Sequence, residues 1–217
     1  MCGRFTLHMP WSELVKLYRI HDTGMNLRPR YNIAPTQDVL AVRLNPAGER
    51  EAVQLRWGLL PFWSKNEKIA YSTINARAET ITTKPAFRNA YGKRRCLIAA
   101  DGYYEWKPED GAKQPYRITL DPEQPFSFAG LWERWERAEK VIESCTIIIT
   151  SANDLTRDIH DRMPVILDPA DYGRWLDGTA GRRLLKPYPS EKMARYPVSR
   201  AVGNIKNTGP DLIGSIA

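Results

Sequence analysis

The chain opens MCGRFTLHMP, and its second residue has the most unusual chemistry in the sequence. With Met1 removed, Cys2 carries a free α-amine and a thiol on adjacent carbons, a 1,2-aminothiol that no interior position can supply. The plainer alternative is that Cys2 only opens a first strand, and a short match of this kind needs context. In STINARAET, Asn75 and Arg77 stand two apart and would share one face of an extended segment. They could equally be solvated groups of a surface loop. In DGYYEWK, a strand places Tyr103, Glu105 and Lys107 on one face and Tyr104 and Trp106 on the other. Glu105 among aromatics is either a proton shuttle with a pKa raised by desolvation or a carboxylate on a solvated strand face. In RDIHDRMP, His160 is an acid–base candidate, or a surface histidine paired to Asp158 or Asp161. Arg4, Arg30, Trp63, Arg77, Phe87, Arg88 and Arg162 form an arginine–aromatic set. Such a set suits phosphates and bases, or else a solvated basic surface over core aromatics.

These groups need a frame. Residues 4–8 alternate as a strand. WSELVKLYRI predicts a helix over 11–20, with Leu14, Leu17 and Tyr18 on one face and Ser12 as N-cap. LRPRYNIAPTQ reads as a loop from its prolines and asparagine. DVLAVRL and EAVQLRW read as a hairpin around NPAGER. Residues 58–72 form an irregular stretch whose aromatics would be notable if exposed, and 84–92 a short helix. RRCLIAA, GYYEWK, PYRITL, FSFAGLW and SCTIIITSA are strands, with turns such as PEDGAK between them. Residues 153–160 read as a short helix, MPVIL as a strand, 169–177 as a helix and YPVSRAV as a strand. Neighbouring strands with few helices predict one α+β domain over 1–217, with an antiparallel, barrel-like sheet core and peripheral helices. There is no regular βαβ alternation and no Gly-rich phosphate loop, which argues against a doubly wound nucleotide-binding sheet.

Composition narrows the classes. Hydrophobic residues are 42% of the 217 and charged residues 26%, ordinary for a globular chain with a real core. No signal-like or membrane-spanning run is present, so a cytoplasmic protein is expected, or a nuclear one in a cell that has a nucleus. Cys2, Cys96 and Cys145 are an odd set without CxxC spacing. With His8, His21 and His160 scattered, neither a disulfide framework nor a metal site is expected, and no cofactor. Cys96 and Cys145 lie in apolar strands and read as buried, inert thiols. The net charge of +7, combined with arginines and aromatics in loops, points to nucleic acid.

Together, MCGRF, RYNIAPTQ, WGLLPFW, INARAET, CLIAADGYYEWK, PYRI, ITSAND, IHDRMPVIL and PVSRAVGN resemble the SOS-response-associated peptidase (SRAP) family, in family order over nearly the whole chain. The resemblance implies a protein that crosslinks to abasic sites in DNA. It implies catalytic roles for Cys2, Asn75, Glu105 and His160, and removal of Met1 by self-cleavage or by a host aminopeptidase. Asn75 would orient the amine and adduct, Glu105 would move protons, and His160 would contact the opened sugar or its phosphate. Arg4, Asn32, Trp63, Arg77, Arg88 and Arg162 would bind DNA, with Trp63 stacking on or wedging against a base. The implied partner is single-stranded or junction DNA with an abasic site, met by a monomer. The implied activity is lyase-like Schiff-base chemistry, with peptidase action on Met1.

The chemistry explains the terminal cysteine. An amine condenses with the open-chain aldehyde of an abasic deoxyribose to give a Schiff base. The thiolate of the same residue then attacks that carbon and closes a five-membered thiazolidine. Closure is intramolecular and therefore strongly favoured. A rival class is the N-terminal-nucleophile amidohydrolases, glutaminases that also begin MCG and attack an amide through Cys2. A non-catalytic nucleic-acid-binding module and a thiol protease are further alternatives.

Overall fold

The structure, a computed structural model, describes residues 2–109 and 111–216. In chain order its strands are β1 (Phe5–Leu7), β2 (Arg30–Ile33), β3 (Asp38–Leu44), β4 (Arg50–Trp57), β5 (Asn75–Arg77), β6 (Arg95–Ala100), β7 (Gly102–Glu109), β8 (Ala112–Leu120), β9 (Phe126–Arg137), β10 (Lys140–Ser151), β11 (Arg162–Pro164), β12 (Ile166–Leu167) and β13 (Met193–Pro197). Three short helices accompany them: α1 (Trp11–Tyr18), α2 (Arg88–Lys93) and α3 (Tyr172–Leu176).

The strands form two sheets. One has the order β13-β8-β7-β1-β2 and is antiparallel throughout. In the other, β4, β3, β6, β9 and β10 close into a five-stranded barrel, because β10 pairs with both β9 and β4. The α+β, barrel-like architecture legible in the strand pattern is therefore present. It departs from a purely antiparallel sheet only at β10, which runs parallel to β4 and β5. Chain segments far longer than a hairpin separate these partners, as parallel pairing requires. The closed ring is tight. A Cβ at Gly130 of β9 would stand 2.8 Å from Ile98 Cδ1 and 2.9 Å from Cys96 Sγ.

β1 joins the two sheets. Its Phe5 packs edge-on against Trp57 of β4, centroids 5.2 Å apart, and against Phe128 of β9 at 5.6 Å. Full burial of such a ring contributes about 1.5–3 kcal/mol. A polar suture fixes the end of the strand. The buried Asp101, just ahead of β7, accepts the Thr6 hydroxyl at 2.5 Å, the His8 N–H at 2.5 Å and the Met9 N–H at 3.1 Å. Burial alone would raise the Asp101 pKa, but the bonds from His8 and Thr6 hold it below the usual carboxylate range. The Arg117 guanidinium, 1% exposed, lies 3.6 Å from this carboxylate and donates to Tyr196 Oη at 2.6 Å and Glu123 at 2.7 Å.

Several local expectations give way to tertiary structure. Ser12 does not cap α1; Pro10 holds that position and no side chain caps it. Part of the expected loop LRPRYNIAPTQ is β2, an edge strand whose pairing of Ile33 with Phe5 overrides the neighbouring prolines. Residues 153–160 are turns rather than a continuous helix, and Asn153 Oδ1 accepts the Thr156 N–H and hydroxyl at 3.1 and 3.0 Å. The strand expected in YPVSRAV stops at Pro197, and Ser199 caps a 3-10 turn over Arg200–Gly203. MPVIL is split into β11 and β12 at Val165. The expected PEDGAK turn joins β7 to β8; its Asp110 lies outside the described residues, as does Met1. No helix of the described residues is long and apolar enough to cross a membrane.

Candidate active site

Cys2 is fully buried at the head of β1. Burial pushes its thiol pKa up, the nearby Glu105 charge pushes it further, and the backbone N–H of Arg4 acts in the opposite sense. Cys96 and Cys145 are also buried, with thiols raised by desolvation. Glu105 lies on β7, the neighbour of β1, and is 4% exposed. Burial raises its pKa, and the nearby His160 pulls it back. Of the two settings open to Glu105 in the sequence, a desolvated carboxyl or one on a solvated strand face, it occupies the desolvated one.

His160 comes from a distant segment, and three anchors place it. Asn153 donates to Tyr188 O at 2.8 Å while its Oδ1 organises the turn, and Thr156 O accepts the His160 N–H at 3.0 Å. The Ala152 N–H donates to Asp161 O at 2.9 Å. Asp158 is clamped by Arg195 of β13 and by Lys107 of β7, the latter at 3.1 Å. The Arg195 hydrogen bond and then Lys107 lower the Asp158 pKa to about 2. Lys107 shares its strand face with Glu105, and Asp158 stands two residues before His160. This clamp therefore brings the histidine to the glutamate. In the neutral ring, His160 Nδ1 accepts the Arg162 N–H at 3.0 Å. Asp161 Oδ1 lies 2.9 Å from the same nitrogen, a contact favourable only when Nδ1 is protonated.

Asn75 and Arg77 lie on β5, paired in register with β10, and line one cavity of about 310 Å³ with Thr80, Lys84 and Phe87. Asn75 Oδ1 is buried without a hydrogen-bond partner among the described residues. Arg77 and Lys84 are exposed. Arg162, on β11 along the opposite edge of β10, forms an ion pair with Glu79. Glu79 also feels the charge of Arg77, so this pair connects the β5 cavity to the His160 turn.

Beside the cavity, the 58–72 stretch holds its aromatics outward. Gly58 has φ +122°, and a Cβ there would meet Ala70 O at 2.8 Å. Leu59 and Leu60 turn into the core, while Trp135 Nε1 donates to Ser64 O at 2.8 Å. Phe62, Trp63 and Tyr71 are left 53%, 44% and 70% exposed. Trp63 Nε1 reaches Pro85 O at 3.4 Å, at the margin of the cavity. Arg88, at the start of α2, is exposed, whereas Phe87 is buried. Arg30 is engaged locally, donating to Asp38 O at 2.5 Å.

Arg4 and Asn32 form a separate pair. Arg4 donates to Asn32 Oδ1 at 2.7 Å, Val202 O at 2.8 Å and Gly203 O at 3.2 Å. The Asn32 amide donates to Val202, Asn204 and Asn207 carbonyls at 3.2, 3.1 and 2.9 Å. Both tie the chain near Cys2 to the 202–207 segment. Sequence reasoning missed Asn153 and the Lys107–Asp158–Arg195 clamp. Asn153 stood within ITSAND, but its bond to Tyr188 is visible only in the fold. Among the described residues, no group of three or more His, Cys, Asp or Glu side chains could hold a metal ion.

A barrel joined through β1 to a second sheet, with a buried cysteine and glutamate and a half-buried histidine near the junction, defines a class of protein already known. The chain belongs to the SOS response associated peptidase (SRAP) family, whose model matches residues 1–205. It is 43% identical over 224 residues to "Abasic site processing protein YoqW" of Bacillus subtilis (strain 168), covering 99% of this chain and 100% of the relative. It is 31% identical over 270 residues to "Abasic site processing protein HMCES" of Pongo abelii, covering 100% of this chain and 76% of the relative. A crystal structure of a Bacteroides thetaiotaomicron protein has a TM-score of 0.89 at 28% identity, covering 100% of both chains. One from Bordetella bronchiseptica has a TM-score of 0.79 at 32% identity, covering 91% of this chain and 100% of that one.

Proposed function

We propose that the chain processes abasic sites in DNA, and that Cys2, once Met1 is removed, closes a thiazolidine on the ring-opened sugar. The observation that carries this reading is the burial of Cys2 within reach of the Glu105 charge, with His160 in turn acting on Glu105, in a fold that also holds a cavity lined by Asn75 and Arg77 and leaves Trp63 exposed. The names of the relatives point to the same lesion.

The chemistry follows from the placement. The Cys2 amine adds to the C1′ aldehyde and loses water to give an iminium. In its buried setting the resting thiol is protonated, so the amine acts first and the thiol second. Glu105, itself raised by burial, takes protons from the amine and thiol and returns one to the departing hydroxyl. Sulfur then adds to C1′, the C=N electron pair moves to nitrogen, and the ring closes. This trapping also suppresses β-elimination and strand cleavage. Asn75, with its buried unpartnered oxygen, orients the amine or the adduct. His160 reaches the opened sugar or its phosphate.

A bare sugar must enter beside Cys2, which favours single-stranded or junction DNA bound by a monomer. Arg77, Arg88 and Arg162 hold phosphates, Arg162 by exchanging Glu79 for the strand. Arg4 adds its charge while fixing, with Asn32, the backbone behind Cys2. Trp63 stacks on a base, and sequence preference is weak because none of these groups reads base edges. Removal of Met1 by the site itself uses the same cysteine.

The test mixes the protein lacking Met1 with single-stranded DNA carrying one abasic site and separates the products on a denaturing gel. A slow species that survives boiling and disappears in Cys2→Ala is expected. A wild-type protein that gives no such species but hydrolyses glutamine would overturn the reading in favour of the amidohydrolase class.

A further inference from the structure

Tyr103 stands two residues before Glu105 on β7, so the two side chains share one strand face. Across the sheet it pairs with Phe5 of β1, the strand that Cys2 leads into. Its ring is fixed edge-on against Phe128, with centroids 6.2 Å apart. The residue is 0% exposed, and its hydroxyl has no hydrogen-bond partner among the described residues. Buried phenols normally find a partner, and an unmet one costs about 1–3 kcal/mol. A phenylalanine would fill the same space against Phe128 without that cost. The hydroxyl is therefore kept for something absent from the resting protein.

Its surroundings say what that is. Burial first, then the charges of Cys2 and Glu105, push the phenol pKa well above its ordinary value. The group stays protonated and can only donate or accept as a neutral hydroxyl. Cys2 and Glu105, whose charges it feels, are the sulfur and carboxylate that exchange a proton during ring closure.

We propose that Tyr103 is a positioning residue for thiazolidine closure, its O–H donating a hydrogen bond to Cys2 Sγ as that atom becomes a thiolate. This rests on the reaction proposed above. In that step the thiol proton passes to the Glu105 carboxylate. A sulfur lone pair forms the bond to C1′, and the C=N electron pair returns to nitrogen, leaving a neutral ring amine. Tyr103 keeps its proton throughout. The bond it makes exists only once sulfur is charged, so it acts on closure and not on formation of the iminium.

The experiment uses Tyr103→Phe in the full chain without Met1, against wild type, on single-stranded DNA with one abasic site. Borohydride quenching at short times measures the iminium, and unreduced heat-stable product measures the closed ring, across a range of pH. Iminium formation is expected at the wild-type rate. Closure is expected about tenfold slower, a barrier change of about 1.4 kcal/mol, with its pH profile displaced upward. Thermal melting should be no lower than wild type. Wild-type closure with an unchanged pH profile would overturn the assignment. So would a melting temperature lowered by more than about 5 °C, which would make the hydroxyl a structural group. A wild-type control with no Cys2-dependent crosslink would overturn the proposed function itself, a result read from a different lane.

Discussion

Asp101 offers the most direct test of how β1, and with it Cys2, is held. In Asp101→Asn the amide can turn so that its oxygen still accepts the His8 and Met9 N–H groups, while the Thr6 hydroxyl reverses to accept from the new NH2. What disappears is the charge. Charge-assisted bonds contribute about 1.5–3 kcal/mol against about 0.5–1.5 for neutral ones, so two backbone donors lose about 2 kcal/mol. Arg117 also loses a carboxylate 3.6 Å away but keeps Glu123 at 2.7 Å. Asp101→Ala leaves both N–H groups buried and unmet, and a broken buried pair of this kind costs about 3–5 kcal/mol. With a urea m-value of roughly 2–3 kcal/mol/M, the midpoints should fall by about 1 M for Asn and about 1.5–2 M for Ala. The pH dependence has a definite sign. The folded Asp101 pKa is depressed, so its contribution is complete above the ordinary carboxylate pKa and is lost as pH falls through the folded value. The gap between wild type and Asn should therefore narrow on acidification below about pH 4. Equal midpoints for the two variants, shifts under about 0.3 M, or a gap that widens in acid would refute the reasoning.

Glu105→Gln should slow both formation and reversal of the crosslink on abasic DNA, because in the proposed mechanism both directions pass protons through one buried carboxyl; wild-type rates in a gel time course would remove Glu105 from the mechanism. Asn153→Ala should lower crosslinking about tenfold while reducing the melting temperature by only a few degrees, since it frees the turn that carries His160; activity equal to wild type would show that the Lys107–Asp158–Arg195 clamp places His160 by itself. Arg77→Ala should weaken DNA binding similarly across sequences and reduce the salt slope by about one; an unchanged slope in a titration from low to moderate salt would take Arg77 off the phosphate path.

Much of this was legible in the residues. The alternation in DGYYEWK placed Glu105 on a strand face, and the apolar runs around Cys96 and Cys145 marked ring strands. A hairpin was readable at Asn45, whose side chain caps the turn that joins β3 to β4. The failures were of one kind. Ser12 looked like a cap and residues 153–160 like a helix because local propensity was read by itself, whereas Pro10 opens α1 without a side-chain cap and 153–160 remain turns. The edge strand β2 was hidden by prolines that its pairing with β1 tolerates. Asn75 and Arg77 proved to share a face, yet nothing local announced that β5 runs parallel to β10. The convergence of His160 on Glu105 depends on Lys107 meeting Asp158, 51 positions away. Spacing along the chain cannot reveal such a meeting.

The closed barrel also imposes an order of events during synthesis. β10 completes the circle by lying alongside β4, which ends about ninety residues earlier, and on its other edge it receives β9. Until that strand has emerged, β3, β4, β6 and β9 remain an open strip, and a pairing that spans so much chain forms slowly. The turn bearing His160 follows β10 directly. The histidine therefore arrives after the thiol and the glutamate, so a half-made chain carries those two without the third group, and the anchors of its turn at Tyr188 and Arg195 emerge later still.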